Sequence, residues 1–155
     1  MKIADLLNPA AIAADLEATD KEAALVELTD VMVSASGGEL NRDDVLQVLQ
    51  ERERLGSTGI GEGVAIPHGK LGQIKELMVA FGRKQEGIDF DSMDGKPAHL
   101  FFLLVAPEES VGVHLKTLAR ISKLLKNAEV RERLLTVQGR DALYRTIVEE
   151  EEKLV

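Results

Sequence analysis

Apolar positions recur at helical spacing before residue 56. Five of them share one face of a predicted helix: Ala24, Leu25, Leu28, Val31 and Met32. We expect this helix to begin at the capping-box pair Thr19 and Glu22 and to end near Gly37–Gly38. A second predicted helix begins at Asn41 and runs through Arg52. Its apolar face consists of Val45, Leu46, Val48 and Leu49.

Two longer apolar runs, residues 76–81 and 99–106, predict buried strands, and residues 64–66 predict a short third strand. Asp94–Gly95 marks a turn between the two long strands. Three further helices are predicted over residues 113–126, 128–137 and 140–150. No repeat or linker divides the chain, so the mixture of helices and strands predicts one α/β domain of two or three layers over residues 1–155.

Composition limits the classes of function. The 155 residues, 45% of them hydrophobic, suffice for one well-buried core. The chain has no cysteine, which excludes disulfides and thiolate metal sites and fits a reducing, cytoplasmic location. A net charge of −8 and 3% aromatic residues argue against nucleic-acid binding. No apolar run has membrane-spanning length, and Asp5 interrupts the first residues, so we expect neither membrane insertion nor a signal peptide.

Residues 56–70 are the most distinctive segment, with five glycines in fifteen positions. Glycines let a backbone approach a ligand closely. The short run 64–66 then leads to His68, which stands between Pro67 and Gly69. Because Pro67 restricts the backbone and Gly69 adds no side-chain bulk, this pattern is typical of one imidazole held in a defined position.

Three common types of functional site do not match the sequence of this segment. Gly63 and Gly69 are separated by five residues rather than four, and Leu71 stands where a phosphate loop needs Ser or Thr. The dinucleotide-binding fingerprint is broken at Val64. Ser57 lacks the surroundings of a hydrolase nucleophile.

A metal site would need several ligands. His68, His99 and His114 are the only histidines, and no two of them have a ligand spacing. A zinc site built from all three, in a metal-dependent hydrolase, stays geometrically possible, although nothing in the sequence requires it. His99 opens a buried strand and is interpreted as structural.

Phosphoryl acceptance by His68 fits this segment better. An imidazole with a pKa of about 6.5 is largely neutral and nucleophilic near neutral pH. A phosphoryl group needs cations and hydrogen-bond donors around its oxygens. Arg52, the hydroxyl of Thr58, and the backbone near Gly69 and Lys70 are the candidates. Taken singly, each also has an ordinary interpretation, as a solvated helix arginine, a turn residue or a surface lysine.

His114 lies at the start of a predicted helix, in line with the apolar Leu118, Ile121 and Leu125, and therefore faces inward. Such a histidine is more often a packed core residue than a functional one. A helix N-terminus disfavours the imidazolium form, however. A neutral His114 could donate an N–H to a nearby imidazole or phosphoryl group.

Four segments together resemble a known family: residues 52–53, 56–61, 65–70 and 114–119. The chain is similar to the EIIA component of the fructose/mannitol class of the bacterial phosphotransferase system, and most of all to its nitrogen-regulatory branch. This resemblance implies a compact domain with a mixed sheet flanked by helices. It also implies that His68 accepts a phosphoryl group, on Nε2, from a phosphohistidine of an HPr-type carrier, without metal or cofactor. Arg52, Thr58 and His114 match the positions that line the active histidine.

The branch within the family has two interpretations. The chain shows no fused sugar-specific B domain and no membrane C domain, which favours a free regulatory protein acting on a transporter or kinase. A stand-alone sugar-specific EIIA that passes the phosphoryl group to a separate EIIB is the alternative. A regulatory binding module whose surface changes when His68 gains negative charge is compatible with either.

Overall fold

A six-stranded sheet forms the centre of residues 2–154, the part of the chain that the structure, a computed structural model, describes. The helices are α1 (Ile3–Leu6), α2 (Lys21–Ala35), α3 (Arg42–Arg54), α4 (Val111–Lys126), α5 (Ala128–Thr136) and α6 (Gly139–Glu152). The strands are β1 (Leu7–Ala13), β2 (Gly59–Gly61), β3 (Val64–Ala65), β4 (His68–Leu71), β5 (Met78–Ile88) and β6 (Ala98–Pro107).

The sheet is mixed, as the resemblance implies. Its order is β1-β5-β6-β3-β2, and β4 also pairs with β6. β5 runs antiparallel to β6, β1 runs parallel to β5, and β2 runs antiparallel to β3. β3 and β4 follow each other along the same edge of β6, both parallel to it. β3, which precedes His68, and β4, which contains it, therefore both pair with the central strand β6.

Helices cover both faces of the sheet. Gly82 and Arg83 are consecutive in β5 and so point to opposite faces. A Cβ on Gly82 would meet Leu28 of α2, whereas Arg83 donates hydrogen bonds to the carbonyls of Leu134 and Val137 at the end of α5. The domain thus has three layers, with β6 buried at its centre as its apolar sequence predicts.

The predicted helices are present within about two residues of their expected bounds. Asn41 caps α3 by accepting a hydrogen bond from the amide of Asp44. The predicted start of α2 is wrong in detail. Asp20, rather than Thr19, is its N-cap and accepts from the amide of Ala23, because a carboxylate there meets the free amides of the first turn directly.

Several elements have no counterpart in the sequence prediction. Residues 3–13 show no sustained hydrophobic period, and the pairing of β1 with β5 shifts register between Leu7 and Ile12. β2 and β4 are short and glycine-containing. The strand predicted over residues 76–81 is β5, which begins two residues later than expected and continues through polar residues to Ile88. One of these polar residues, Arg83, is buried because it binds the end of α5.

No helix within residues 2–154 is both long enough and apolar enough to cross a membrane.

Candidate functional site

β4 holds His68 against the most buried strand of the sheet. His68 lies opposite Leu104 in β6, whose amide donates to the carbonyl of Pro67 at 2.9 Å. Next to it, a Cβ on Gly69 would lie 2.9 Å from Cγ2 of Val48. Glycine therefore allows α3 to pack directly on β4, and this brings the end of α3 beside the imidazole.

The His68 ring is held in one tautomer. Its Nδ1 lies 2.8 Å from the carbonyl oxygen of Ile66. A carbonyl only accepts hydrogen bonds, so Nδ1 carries the hydrogen and Nε2 keeps its lone pair. Nε2 is thus the nucleophilic atom of the ring.

The surroundings of His68 lower its pKa from the ordinary value of 6.5. Burial is the main cause, and the nearby charge of Arg52 acts in the same direction. The carbonyl of Ile66 and the carboxylate of Glu53 oppose this by favouring the imidazolium. The balance leaves His68 neutral, and therefore nucleophilic, at pH 7.

His114 lies in the first turn of α4, with its ring centroid 5.4 Å from that of His68. Its side chain is buried, and Nδ1 has no hydrogen-bond partner. Burial lowers its pKa, as do the charges of His68 and Lys70. The enclosed Nδ1 faces no acceptor, so the hydrogen of the neutral ring belongs on Nε2, the nitrogen left to interact with a ligand.

An open depression of about 690 Å³ surrounds these two rings. Five of the six residues singled out from the sequence line it: Arg52, His68, Gly69, Lys70 and His114. Glu51 and four apolar residues complete the lining, the apolar ones being Val48, Leu55, Leu115 and Leu118. Leu55 is 86% exposed and Leu115 59% exposed, which is unusual for large apolar residues and typical of a surface that contacts a partner.

Arg52 reaches this depression from the last turn of α3. Its Nη1 donates to the carbonyl of Gly56 at 2.8 Å, which anchors the side chain at the start of the glycine-rich segment. A guanidinium has five N–H donors, so most remain for an anion.

Thr58, the sixth residue, does not line the depression. It is buried, and both its amide and its hydroxyl donate to the carboxylate of Glu53. The single hydroxyl hydrogen is therefore already used, and the expected donation from Thr58 to a phosphoryl group does not fit this geometry. Thr58 instead attaches the glycine-rich segment to α3.

Sequence reasoning gave Glu53 no role of its own. Its side chain is 6% exposed and also forms an ion pair with Lys21 at 2.8 Å. In the sequence it is one more charged residue at the end of a helix, and only its place beside Arg52 in the family motif drew attention to it.

His99 is separate from this site. It lies in β6 five residues before Leu104, the partner of His68, which corresponds to about 16 Å along a strand. Its Nδ1 donates to the carbonyls of Lys84 and Gln85, both at 3.1 Å, so the structural interpretation is right. Within residues 2–154 no group of three His, Asp or Glu side chains could hold a metal ion, and the three-histidine zinc hydrolase has no support.

Comparison with known proteins decides the family. The profile described as "Phosphoenolpyruvate-dependent sugar phosphotransferase system, EIIA 2" matches residues 5–150. The chain belongs to this family. The resemblance found in the sequence is confirmed, and members of the EIIA 2 family are components of the phosphotransferase system.

Relatives of both branches are similar to this EIIA chain. A nitrogen regulatory protein of Bradyrhizobium diazoefficiens is 43% identical over 144 residues, which cover 93% of each chain. The crystal structure of the nitrogen regulatory protein IIA-Ntr from Neisseria meningitidis superposes with a TM-score of 0.86 at 36% identity, over 94% of this chain and 98% of that one.

A fructose-specific EIIABC component of Bacillus subtilis is 41% identical over 144 residues, or 92% of this chain. The aligned part spans only 22% of that larger protein.

Proposed function

We propose that this EIIA protein is a phosphoryl carrier, in which Nε2 of His68 accepts a phosphoryl group from a phosphohistidine on an HPr-type carrier protein. One observation carries the proposal. The carbonyl of Ile66 fixes the hydrogen on Nδ1, so that the nucleophilic nitrogen belongs to a ring that lines an open, apolar-rimmed depression.

The transfer forms one N–P bond at Nε2 of His68 while the N–P bond on the donor breaks. The charge of the phosphoryl group lies on its three outer oxygens, which need positive partners during transfer. Arg52 supplies a guanidinium and Lys70 an ammonium from the lining of the depression. His114 donates through Nε2, and Gly69 allows α3 to bring Arg52 beside the imidazole. No metal or other cofactor takes part.

Thr58 has an indirect role in this proposal. It positions the glycine-rich segment through Glu53, and that segment holds Arg52 through the carbonyl of Gly56. We therefore treat Thr58 and Glu53 as positioning residues.

The exposed Leu55 and Leu115 on the rim fit a transient protein partner, since the donor must bring its own phosphohistidine into the depression. The names of the Bradyrhizobium and Neisseria relatives favour a regulatory output. We propose that this output takes place in the cytoplasm and acts on a transporter or kinase. The name of the Bacillus relative supports the alternative, a fructose-type EIIA that passes the phosphoryl group to EIIB.

The test is a reconstituted phosphorelay. The purified protein is mixed with phosphoenolpyruvate, Enzyme I and an HPr-type carrier, and intact mass is recorded with and without the carrier. We expect a carrier-dependent gain of one acid-labile phosphoryl group that His68→Ala abolishes. His99→Ala is the matched control and keeps the gain, because His99 lies outside the depression. Retained labelling of a folded His68→Ala variant would contradict the proposal.

The branch is tested with the phosphorylated protein. Transfer to a fructose-type EIIB supports the sugar-specific alternative. Retention of the phosphoryl group in the presence of EIIB, together with partners that bind His68→Ala but not the phosphorylated protein, supports the regulatory output.

A further inference from the structure

A second cavity, of about 400 Å³, lies between α1 and α4 and shares no lining residue with the His68 depression. Ile3, Leu6, Val113, Lys116, Thr117 and Arg120 line it. Successive residues of an α-helix are rotated by about 100° around its axis. On this basis, the mean direction of the α4 residues that line the cavity differs from the direction of His114 by roughly 100°. The cavity therefore lies on a different side of the helix that bears His114.

The floor of this cavity is apolar and fixed in place. Ile3 is buried, and the amides of Ile3 and Ala4 donate to the carboxylate of Glu151 at 2.6 and 3.0 Å. The hydroxyl of Tyr144 donates to the carbonyl of Ala4. These bonds attach the short α1 to α6, so Ile3 and Leu6 form a stable wall.

The polar groups of the cavity carry positive charge. Nε of Arg120 donates to Glu151 at 2.5 Å, and this bond orients the guanidinium at the edge of the cavity. Within residues 2–154, the Nη atoms of Arg120 donate no hydrogen bond to a carboxylate, and the ammonium of Lys116 forms no ion pair. The hydroxyl of Thr117 donates to the carbonyl of Val113 and is not available as a donor. No acidic side chain lines the cavity, but Glu151 balances the charge of Arg120. The uncompensated positive charge at the cavity is therefore that of Lys116, and it favours an anion.

We propose that this cavity binds an amphipathic organic anion, with a carboxylate between Lys116 and Arg120 and an unbranched hydrocarbon body against Ile3, Leu6 and Val113. The volume lies in the range of about 300–1,000 Å³ that is usual for small-molecule sites. The Nη donors of a guanidinium already fixed by Glu151 match a carboxylate at little cost in side-chain entropy. The apolar wall rejects a fully hydrated ion, because an inorganic anion leaves that surface uncovered.

The probe is octanoate, added to the full-length protein and followed by calorimetry and by amide chemical shifts. We expect saturable one-site binding with shifts centred on Leu6, Val113, Lys116 and Thr117. Two controls separate the parts of the ligand. Octanol has the same body without the charge, and inorganic phosphate has charge without a body, and each is expected to bind at least about tenfold more weakly.

Lys116→Met is the deciding variant, because it keeps the length and apolar stem of the side chain and removes its charge. We expect octanoate affinity to fall about tenfold, with the melting temperature unchanged. Lys126→Met, on the same helix and outside the cavity, is the matched control and keeps full affinity. Arg120 is not substituted, because its loss leaves the buried carboxylate of Glu151 without its cation.

Three results would overturn the proposal: no saturable octanoate binding, equal binding of octanol and octanoate, or equal affinity of Lys116→Met and the parent protein. Shifts centred on Leu115 and Leu118 would place the ligand in the His68 depression and would overturn it as well.

Discussion

At the scale of single residues, the chemistry of His68 depends on two neighbours with opposite charge. Arg52 and Glu53 are adjacent in α3, yet one lines the depression and the other is buried behind it. Arg52 lowers the pKa of His68 and Glu53 raises it. The two charges therefore set the pKa of the imidazole through space, since neither side chain forms a hydrogen bond to the ring.

The two substitutions that neutralise this pair should shift the His68 pKa in opposite directions. Arg52→Gln removes a cation and is expected to raise the pKa, and Glu53→Gln removes an anion and is expected to lower it. The measurement is an NMR pH titration of the His68 ring. Glu22→Gln, in the first turn of α2, is the control and should leave the pKa unchanged. Shifts of the same sign for both variants would show that rearrangement rather than charge is the cause.

The elements differ in how far sequence reveals them. α2 to α6 and β6 were predictable, because each has a clear apolar period or a continuous apolar run over many residues. β4 was not, since a strand of four residues that contains His68, Gly69 and Lys70 has no hydrophobic pattern. Its pairing with β6 is decided by contacts more than thirty residues apart in the chain.

The residues of the candidate site also differ in how far the sequence predicts their roles. His68, Arg52 and His114 could be singled out because imidazole and guanidinium are chemically suited to phosphoryl transfer and because the family motif marks them. The hydrogen bonds of Thr58 and Glu53 could not be foreseen, since only the folded chain shows which acceptor the hydroxyl reaches. The structural role of His99 was predictable from its place in an apolar strand.

The contact between α3 and β4 gives a prediction at the scale of elements. Gly69→Ala would place a methyl group 2.9 Å from Val48 Cγ2 and push α3, with Arg52, away from the imidazole. We expect slower phosphorylation and a loss of roughly 1–3 kcal/mol in the free energy of unfolding, as is usual for overpacking. Carrier-dependent labelling rates and chemical denaturation measure the two effects.

Two variants sharpen this experiment. Val48→Ala combined with Gly69→Ala restores the space and should recover most of the labelling rate. Gly112→Ala in α4, where an added Cβ meets nothing within 4 Å, is the matched glycine control and should behave like the parent protein. Failure of the double variant to recover would mean that Gly69 has a role other than space.

At the scale of the whole molecule, the stability of the fold is linked to the protonation of both site histidines. The folded state lowers the pKa of His68 and that of His114, in both cases mainly through burial. The unfolded chain therefore takes up protons first as the pH falls below 6.5. The contribution of these groups to stability is complete above that pH and is lost as the pH decreases towards the folded-state values.

We therefore expect the free energy of unfolding, measured in denaturant, to fall between pH 7.5 and pH 5.5. His114→Leu removes one of the two groups and should make this fall smaller, whatever its effect on stability at pH 7.5. His99→Leu is the comparison variant, because His99 lies outside the depression. An unchanged or steeper fall in His114→Leu would contradict the linkage.

The pairing of β4 with β6 also determines what a partner protein encounters. Loops that carry functional side chains usually open far more easily than the core of a protein. His68, the proposed phosphoacceptor, lies in a strand that is paired with the most buried strand, so its amide neighbours should exchange with solvent only when the domain as a whole opens. Under the proposed function, donor and target therefore have to fit one preformed surface, and we expect their binding to be mutually exclusive.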